Sequence, residues 1–289
     1  MFEQEKQKLK SLFDEEVCHI LREANAVLAG GALTSIFTGK EINDLDIYFK
    51  TKEGFSHLIR SVYDANTGIN IGMKGGRIAH YTDRSILINS YNQEIQLIGM
   101  TTYNSVWNIF DSFDFTINMC AYDFRTEEFI MHKDFLKHNA QRFLCFNEKT
   151  TFPLVSALRV DKYRERGYTI SKAQMFRVLL ACNQKKFESW DDFKKELGGL
   201  YGLEPDEVVD TSKEFSIEEG MKQLDKIFVP NMKFTPKANP DFEDIMEKFE
   251  HMLDPATKQW YGGLVEKYGK FYGYVPSHKR FDDSSFYLD

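Results

Sequence analysis

The chain holds only four cysteines, Cys18, Cys120, Cys145 and Cys182, and no two of them form a CxxC pair. That spacing argues against a zinc site or a redox pair and for reduced thiols in a cytoplasmic protein. No apolar run is long enough to span a bilayer, and Met1 to Lys10 is charged rather than carrying a signal-peptide core. The expectation is therefore no membrane partner. The seven histidines form neither HExxH nor HxH, and no GxxxxGK[ST] or GxSxG motif occurs. Zinc hydrolase, P-loop and nucleophile-elbow chemistries are set aside on that basis. Internal repeats and low-complexity tracts are missing too. What is abundant is aromatic: 25 Phe and 14 Tyr, with 42% hydrophobic residues overall, fit an ordinary globular chain with a thick core.

A net charge of −7 argues against indiscriminate nucleic-acid binding. The charge is uneven, however. Between Arg159 and Lys186 eight basic residues face only Asp161 and Glu165, whereas the region after Phe187 is acidic. A local basic stretch of this kind can hold phosphates or present an ordinary solvated helix face.

The most informative stretch is Gly30-Gly31-Ala32-Leu33-Thr34-Ser35, followed by Asp44-Leu45-Asp46. A glycine pair opening a short helix lets phosphates approach backbone N–H groups. A strand then carries two carboxylates at i and i+2, which share one face roughly 7 Å apart along the chain. Mg²⁺ (or Mn²⁺) takes a few carboxylates plus phosphate oxygens and water. Asp44 and Asp46 are thus the candidate catalytic and metal-binding residues, with Gly30, Gly31 and Ser35 contacting the β- and γ-phosphates of an NTP. A third carboxylate is sought on a neighbouring strand, and Glu94 is the candidate metal ligand there.

Along the chain, Glu3 to Ala24 reads as one long amphipathic helix and Ala26 to Ala29 as a strand. Helices are expected at 32–37, 54–64 and 103–109, and a loop over the active site at 66–77, where Lys74 and Arg77 are weak phosphate candidates. Ser85–Asn89 and Glu94–Ile98 alternate as a hairpin, and Phe113 to Tyr122 reads mostly as strand. Beyond Thr150 the pattern is helical, with helices at 154–165, 171–184, 190–197, 217–228, 241–253 and 255–269. Pro230, Pro236 and Pro240 mark a loop, and Trp107, Trp190 and Trp260 are expected in the core. The reading is α+β: a mixed sheet flanked by helices in residues 1–150, then an all-α region in 151–289.

GGALTS–DLDIYF resembles the signature of the polymerase-beta-like nucleotidyltransferase superfamily. Phe113-Asp114-Phe115-Thr116-Ile117-Asn118, ahead of Ala121-Tyr122-Asp123, resembles the RRDFTINALAY motif of tRNA nucleotidyltransferases (CCA-adding enzymes) and bacterial poly(A) polymerases. Glu128-Phe129-Ile130 with Lys133-Asp134-Phe135-Leu136 resembles a later segment of that head domain, and Pro153 with Leu158-Arg159 through Lys162-Tyr163 its neck helix. The resemblance covers residues 26 to 168. It implies that Asp114 and Asn118 help place the sugar or phosphates, and that Arg159 lies near the triphosphate or the RNA backbone. Ser112 and Phe113 stand where the family has two arginines, Thr34-Ser35 replaces its Arg-Asp, and no E-D-x-x-R base-reading motif is found.

These observations point to a metal-dependent nucleotidyltransferase that moves NMP from an NTP, with ATP among the substrates considered, to an acceptor and releases pyrophosphate. The basic stretch makes a tRNA-like RNA 3′ end the first acceptor. Two rivals stay open: transfer to a protein or small molecule, and a nucleotide- or RNA-binding module that keeps the fold without turnover.

Overall fold

The computed structural model describes residues 1–63, 77–82, 84–89, 94–197, 209–227 and 242–268. It divides into two compact units: residues 1–106, 121–130 and 236–289 form the first, and 107–120 with 131–235 the second. The boundary expected near residue 150 falls inside the second unit.

The first unit is built on a seven-stranded mixed sheet in the order β3-β4-β5-β2-β1-β6-β7. Its strands are β1 (Ala26–Ala29), β2 (Asp44–Phe49), β3 (Arg77–Tyr81), β4 (Ser85–Asn89), β5 (Glu94–Ile98), β6 (Cys120–Asp123) and β7 (Glu128–Met131). β1 is central and buried at every residue, which explains its unbroken apolar run. It runs antiparallel to both β2 and β6. β4 and β5 form the expected antiparallel hairpin. β2 and β5 are parallel, with Asp44 opposite Glu94 and Asp46 opposite Gln96.

The amphipathic N-terminus is two helices rather than one: α1 (Glu3–Lys10) and α2 (Glu15–Glu23). Asp14 takes an extended conformation at the start of α2, and the turn before it buries Phe13 edge-on against Phe124, 5.5 Å between centroids. An uninterrupted helix would forfeit that contact. Both helices are tied to the β6–β7 turn by Glu127, which accepts from Lys10 Nζ at 2.7 Å and Arg22 Nη2 at 2.6 Å. Those two hydrogen bonds, Lys10 foremost, hold the Glu127 carboxyl below its usual range. α3 (Gly31–Thr38) and α4 (Lys52–Tyr63) follow β1 and β2. Late residues return to this unit. Asp254, buried, caps α12 (Pro255–Tyr268) by accepting from the Thr257 N–H at 2.6 Å, while its own N–H donates to Ser56 Oγ on α4 at 2.8 Å. α11 (Phe242–Lys248) precedes it. The proline-marked loop, the loop at 66–76 with Lys74, and the aromatic tail lie outside the described residues. Arg77 opens β3.

The second unit contains α5 from Trp107 onward (the helix spans Val106–Asp111), α6 (Phe135–Ala140), α7 (Pro153–Glu165), α8 (Lys172–Asn183), α9 (Trp190–Leu197) and α10 (Ile217–Ile227). A short parallel pair, β8 (Phe143–Leu144) with β9 (Thr169–Ile170), adds two two-residue strands to an otherwise helical unit. Pro153 sits in the first turn of α7, as its missing N–H predicts. The buried Glu196 accepts the Leu154 N–H at 3.1 Å and pairs with Lys185 at 3.1 Å, which places a carboxylate at the positive end of α7. Phe115, Ile117, Leu144, Phe146, Val160, Tyr163, Tyr168 and Val178 form one core cluster, and Trp190, Phe193, Leu197, Val209 and Leu224 another. Trp190 is core as expected, its indole N–H donating to Lys213 O at 2.8 Å. Trp107 is not: it is exposed and meets Phe110 edge-on.

Phe113–Tyr122 is not mostly strand. Thr116–Asn118 is a 3₁₀ turn, and only Cys120 onward is extended in the sheet. The reason is local. Asp114 is buried and its Oδ1 accepts the Phe115 N–H at 3.0 Å and the Asn118 amide at 3.3 Å, an alternative to ladder bonding that pulls the chain off an extended path. Beneath that turn, Thr116 Oγ1 lies 2.7 Å from Nδ1 of the buried His138. Burial lowers the His138 pKa, opposed by Asp134 and aided by Lys137 and His132. A histidine depressed in the folded state contributes stability that is complete above about pH 6.5 and is lost as pH falls toward its folded value. Unfolding free energies from urea titrations between pH 7.5 and 5 are therefore expected to drop by up to about 1.4 kcal/mol per pH unit below 6.5, with a shallower slope in His138→Gln.

Candidate active site

In the first unit the site is assembled at the start of β2 and of α3, two elements that touch. On β2, Leu45, Ile47 and Phe49 are buried while Asp44 and Asp46 are half-buried. Both carboxylates therefore leave the sheet on the opposite face from the Leu45 side chain, as the i, i+2 spacing requires. Two residues on, Tyr48 closes that face: it is buried and packs edge-on against Tyr103 at 5.6 Å. The open part of the face is the Asp44–Asp46 end.

The parallel register sets Glu94 beside Asp44 and Gln96 beside Asp46, on the same face. Glu94 is exposed. Gln96 is held by its own neighbour, its amide donating to Ser85 Oγ at 2.7 Å. Among the described residues no group of three His, Cys, Asp or Glu side chains gathers closely enough to share a metal ion. The arrangement is thus two carboxylates on one strand, with Glu94 next in register.

α3 presents its N-terminal turn selectively. Gly30 is buried and has φ 97° and ψ −140°, a conformation that only glycine adopts without strain. Thr34 N–H closes the first helical bond to Gly30 O at 3.3 Å, and the preceding N–H groups of a helix have no partner inside it. Ala32, Leu33, Thr34 and Ile36 are buried, but Gly31 is exposed and Ser35 half-buried. Four residues apart, these two share one face. A Cβ built on Gly31 meets nothing within 4 Å. The two glycines are therefore distinguishable. Gly30→Ala is expected to cost about 1–3 kcal/mol through backbone strain, whereas Gly31→Ala is expected to stabilise the fold by about 0.5–1 kcal/mol. If the open space over Gly31 is reserved for phosphate, the same alanine weakens NTP binding. Thermal melts and nucleotide titrations of the two variants read these effects apart.

Asp114, Asn118 and Arg159 belong to the second unit and are bonded to one another. Asp114 Oδ2 accepts from Arg159 Nη1 at 3.2 Å, and the Asn118 amide donates to Tyr163 Oη at 2.5 Å as well as to Asp114. Asp114 is only 3% exposed. Asn147 completes the frame, its amide donating to the carbonyls of Phe110, Asp111 and Phe113 at 3.1, 3.2 and 2.7 Å, while its N–H donates to Asp114 O at 2.8 Å. Tyr163 and Asn147 were missed from sequence. Tyr163 had a signal: it lies four residues after Arg159, on the same side of α7. Asn147 had none. Asp123, at the end of the same motif, is committed to structure, pairing with Lys50 and accepting from the Arg125 and Thr126 N–H groups at 2.9 and 3.3 Å.

The basic stretch is partly spent within the chain. Arg159 pairs with Asp114, Arg164 with Asp161 at 3.0 Å, Arg177 with Glu148, and Lys185 with Glu196.

Residues 2–142 match the model of the Gabija anti-defense 2 family. A curated relative, Gabija anti-defense 2 of Bacillus phage SPbetaL7, is 35% identical over 243 residues, which cover 83% of this chain. The match spans 58% of that protein's length. Among solved structures, the chain is similar to a CCA-adding enzyme in complex with CTP, at 12% identity and a TM-score of 0.45, covering 92% of this chain and 62% of that one. It is also similar to the Thermotoga maritima CCA-adding enzyme complexed with tRNA, at 12% identity and a TM-score of 0.42, covering 89% and 67%. No helix among the described residues is long and apolar enough to cross a membrane.

Proposed function

We propose that this chain is a metal-dependent nucleotidyltransferase that moves a nucleoside monophosphate from an NTP to an acceptor, and that it serves the role that the name of its relative states, countering the Gabija defence. The observation that carries the chemistry is the pair of half-buried carboxylates on one face, Asp44 and Asp46, at the start of β2 next to the glycine-led turn of α3. Two carboxylates near the exposed, uncrowded backbone at Gly31 suit a divalent ion held jointly by protein and phosphate. Asp44 and Asp46, with Glu94 next to them, would hold Mg²⁺ or Mn²⁺, which when bound neutralises phosphate charge and lowers the pKa of an attacking hydroxyl.

The rest falls to this chain's own groups. The first N–H groups of α3 and the Ser35 hydroxyl orient the terminal phosphates so that pyrophosphate leaves in a fixed direction. Gly31 admits those phosphates to the backbone. Asp114, Asn118 and Arg159 act as one bonded group that holds the 3₁₀ turn of the second unit.

An RNA 3′ end remains the first acceptor to test, although four of the eight basic residues meant to grip it are engaged with carboxylates of the same chain. A second reading, nucleotide binding without turnover, is favoured by the lack of a three-carboxylate cluster among the described residues. Each α-labelled NTP, incubated with the chain, Mg²⁺ or Mn²⁺, bulk tRNA and a bacterial extract, is expected to label a macromolecule. Saturable nucleotide binding with no transferred label would instead establish the second reading.

A further inference from the structure

α8 leaves one side uncovered. Only Val178 of this helix is fully buried, while Met175, Ala181 and Cys182 pack partly against the core. On the outer side Phe176, Leu179 and Leu180 are 62%, 55% and 48% exposed. Their spacing, i, i+3 and i+4, makes one continuous apolar stripe rather than scattered exposure. At its N-terminal end the stripe runs into a groove of about 240 Å³ lined by Arg164, Ile170, Lys172, Met175, Phe176 and Leu179. The groove has an apolar floor, an adaptable methionine wall and a basic rim.

We propose that this stripe and groove are the docking surface for a protein partner that presents an apolar ridge flanked by carboxylates. Charge complementarity selects that partner. Lys172 and Arg164 line the groove, Arg164 sharing its charge with Asp161, and the exposed Arg166 lies two residues beyond Arg164 with Glu165 between them, so Lys172 and Arg166 carry the basic side. An apolar ridge fills the floor, and acidic flanks answer the rim. RNA fits less well. The stripe offers two leucines and one phenylalanine, so it supplies little stacking area for bases. Face-to-face pairing with a second copy would set Arg164 and Lys172 against their own kind. The surface stands whether or not the carboxylate pair turns nucleotides over, so its test does not rest on that chemistry.

The test uses the full chain and three fluorescein-labelled helical peptides: leucines at i, i+3 and i+4 flanked by glutamates, the same with lysine flanks, and the glutamate peptide with serines for leucines. Anisotropy is expected to show binding of the first peptide only, weakening with salt. Phe176→Ser, Leu180→Ser and Lys172→Glu are each expected to reduce that binding by roughly tenfold, with unchanged circular dichroism. Four outcomes would overturn the proposal: no binding of the glutamate peptide, equal binding of both charge types, competition by a single-stranded RNA that also loses affinity in Phe176→Ser, or self-association of the chain that the same substitution abolishes.

Discussion

Asp44→Ala and Asp46→Ala are each expected to eliminate nucleotide transfer, by on the order of 10³-fold or more, and Asp44→Ala is expected to leave the melting temperature almost unchanged. The size follows from the chemistry assigned to the pair. A divalent ion at a transferring phosphoryl group supplies several kcal/mol of charge stabilisation, and each 1.36 kcal/mol is a factor of ten. The unchanged stability follows from position: the Asp44 side chain is half-buried at the start of β2, and Leu45, Ile47 and Phe49 pack on the other face. Glu94→Gln serves as the graded control, since Glu94 is exposed and next in register to Asp44. Initial rates with labelled NTP and a titration of Mg²⁺ separate loss of the ion from loss of the acceptor. Transfer that survives both aspartate substitutions would remove the site assignment.

Asp114→Ala is expected to show the reverse pattern, a large loss of stability. The buried carboxylate answers the Phe115 N–H, the Asn118 amide and the Arg159 guanidinium at once. Removing one member of a buried ion pair costs about 3–5 kcal/mol. Arg159 keeps some contact with water, so the low end, about 3 kcal/mol, is expected. For a protein of this size that is a drop of roughly 6–12 °C in melting temperature. Asp114→Asn keeps the shape and part of the bonding and is expected to fall between. If Asp114→Ala melts with the parent chain but fails to bind nucleotide, the residue touches the ligand directly and is not a structural hub.

That contrast explains what could be read from the amino-acid order. The β2 carboxylates and the glycine-led helix were legible because both depend on local rules: alternation along a strand and backbone freedom at Gly30. Most helices after Thr150 were legible to within a residue or two for the same reason, with Pro153 marking the start of α7, whereas the helix expected at 241–253 stops at Lys248 and a separate 3₁₀ turn follows at Glu250–Met252. Asp114 was legible as a motif residue but not in its role, because its partner Arg159 is 45 residues away. The break between α1 and α2 was hidden because Phe13 fits the apolar stripe of a continuous helix equally well, and only its contact with Phe124 decides the matter. Trp107 misled for the opposite reason: its size argued for burial, and no local rule says that α5 turns it outward.

The bond between Ser56 and the Asp254 N–H spans 198 residues. During synthesis, helix α4 must therefore emerge and wait for the cap of α12 to leave the ribosome. At about 5–20 residues per second that interval is roughly 10–40 s. Through all of it the nascent first unit lacks the bond that ties α4 to the start of α12.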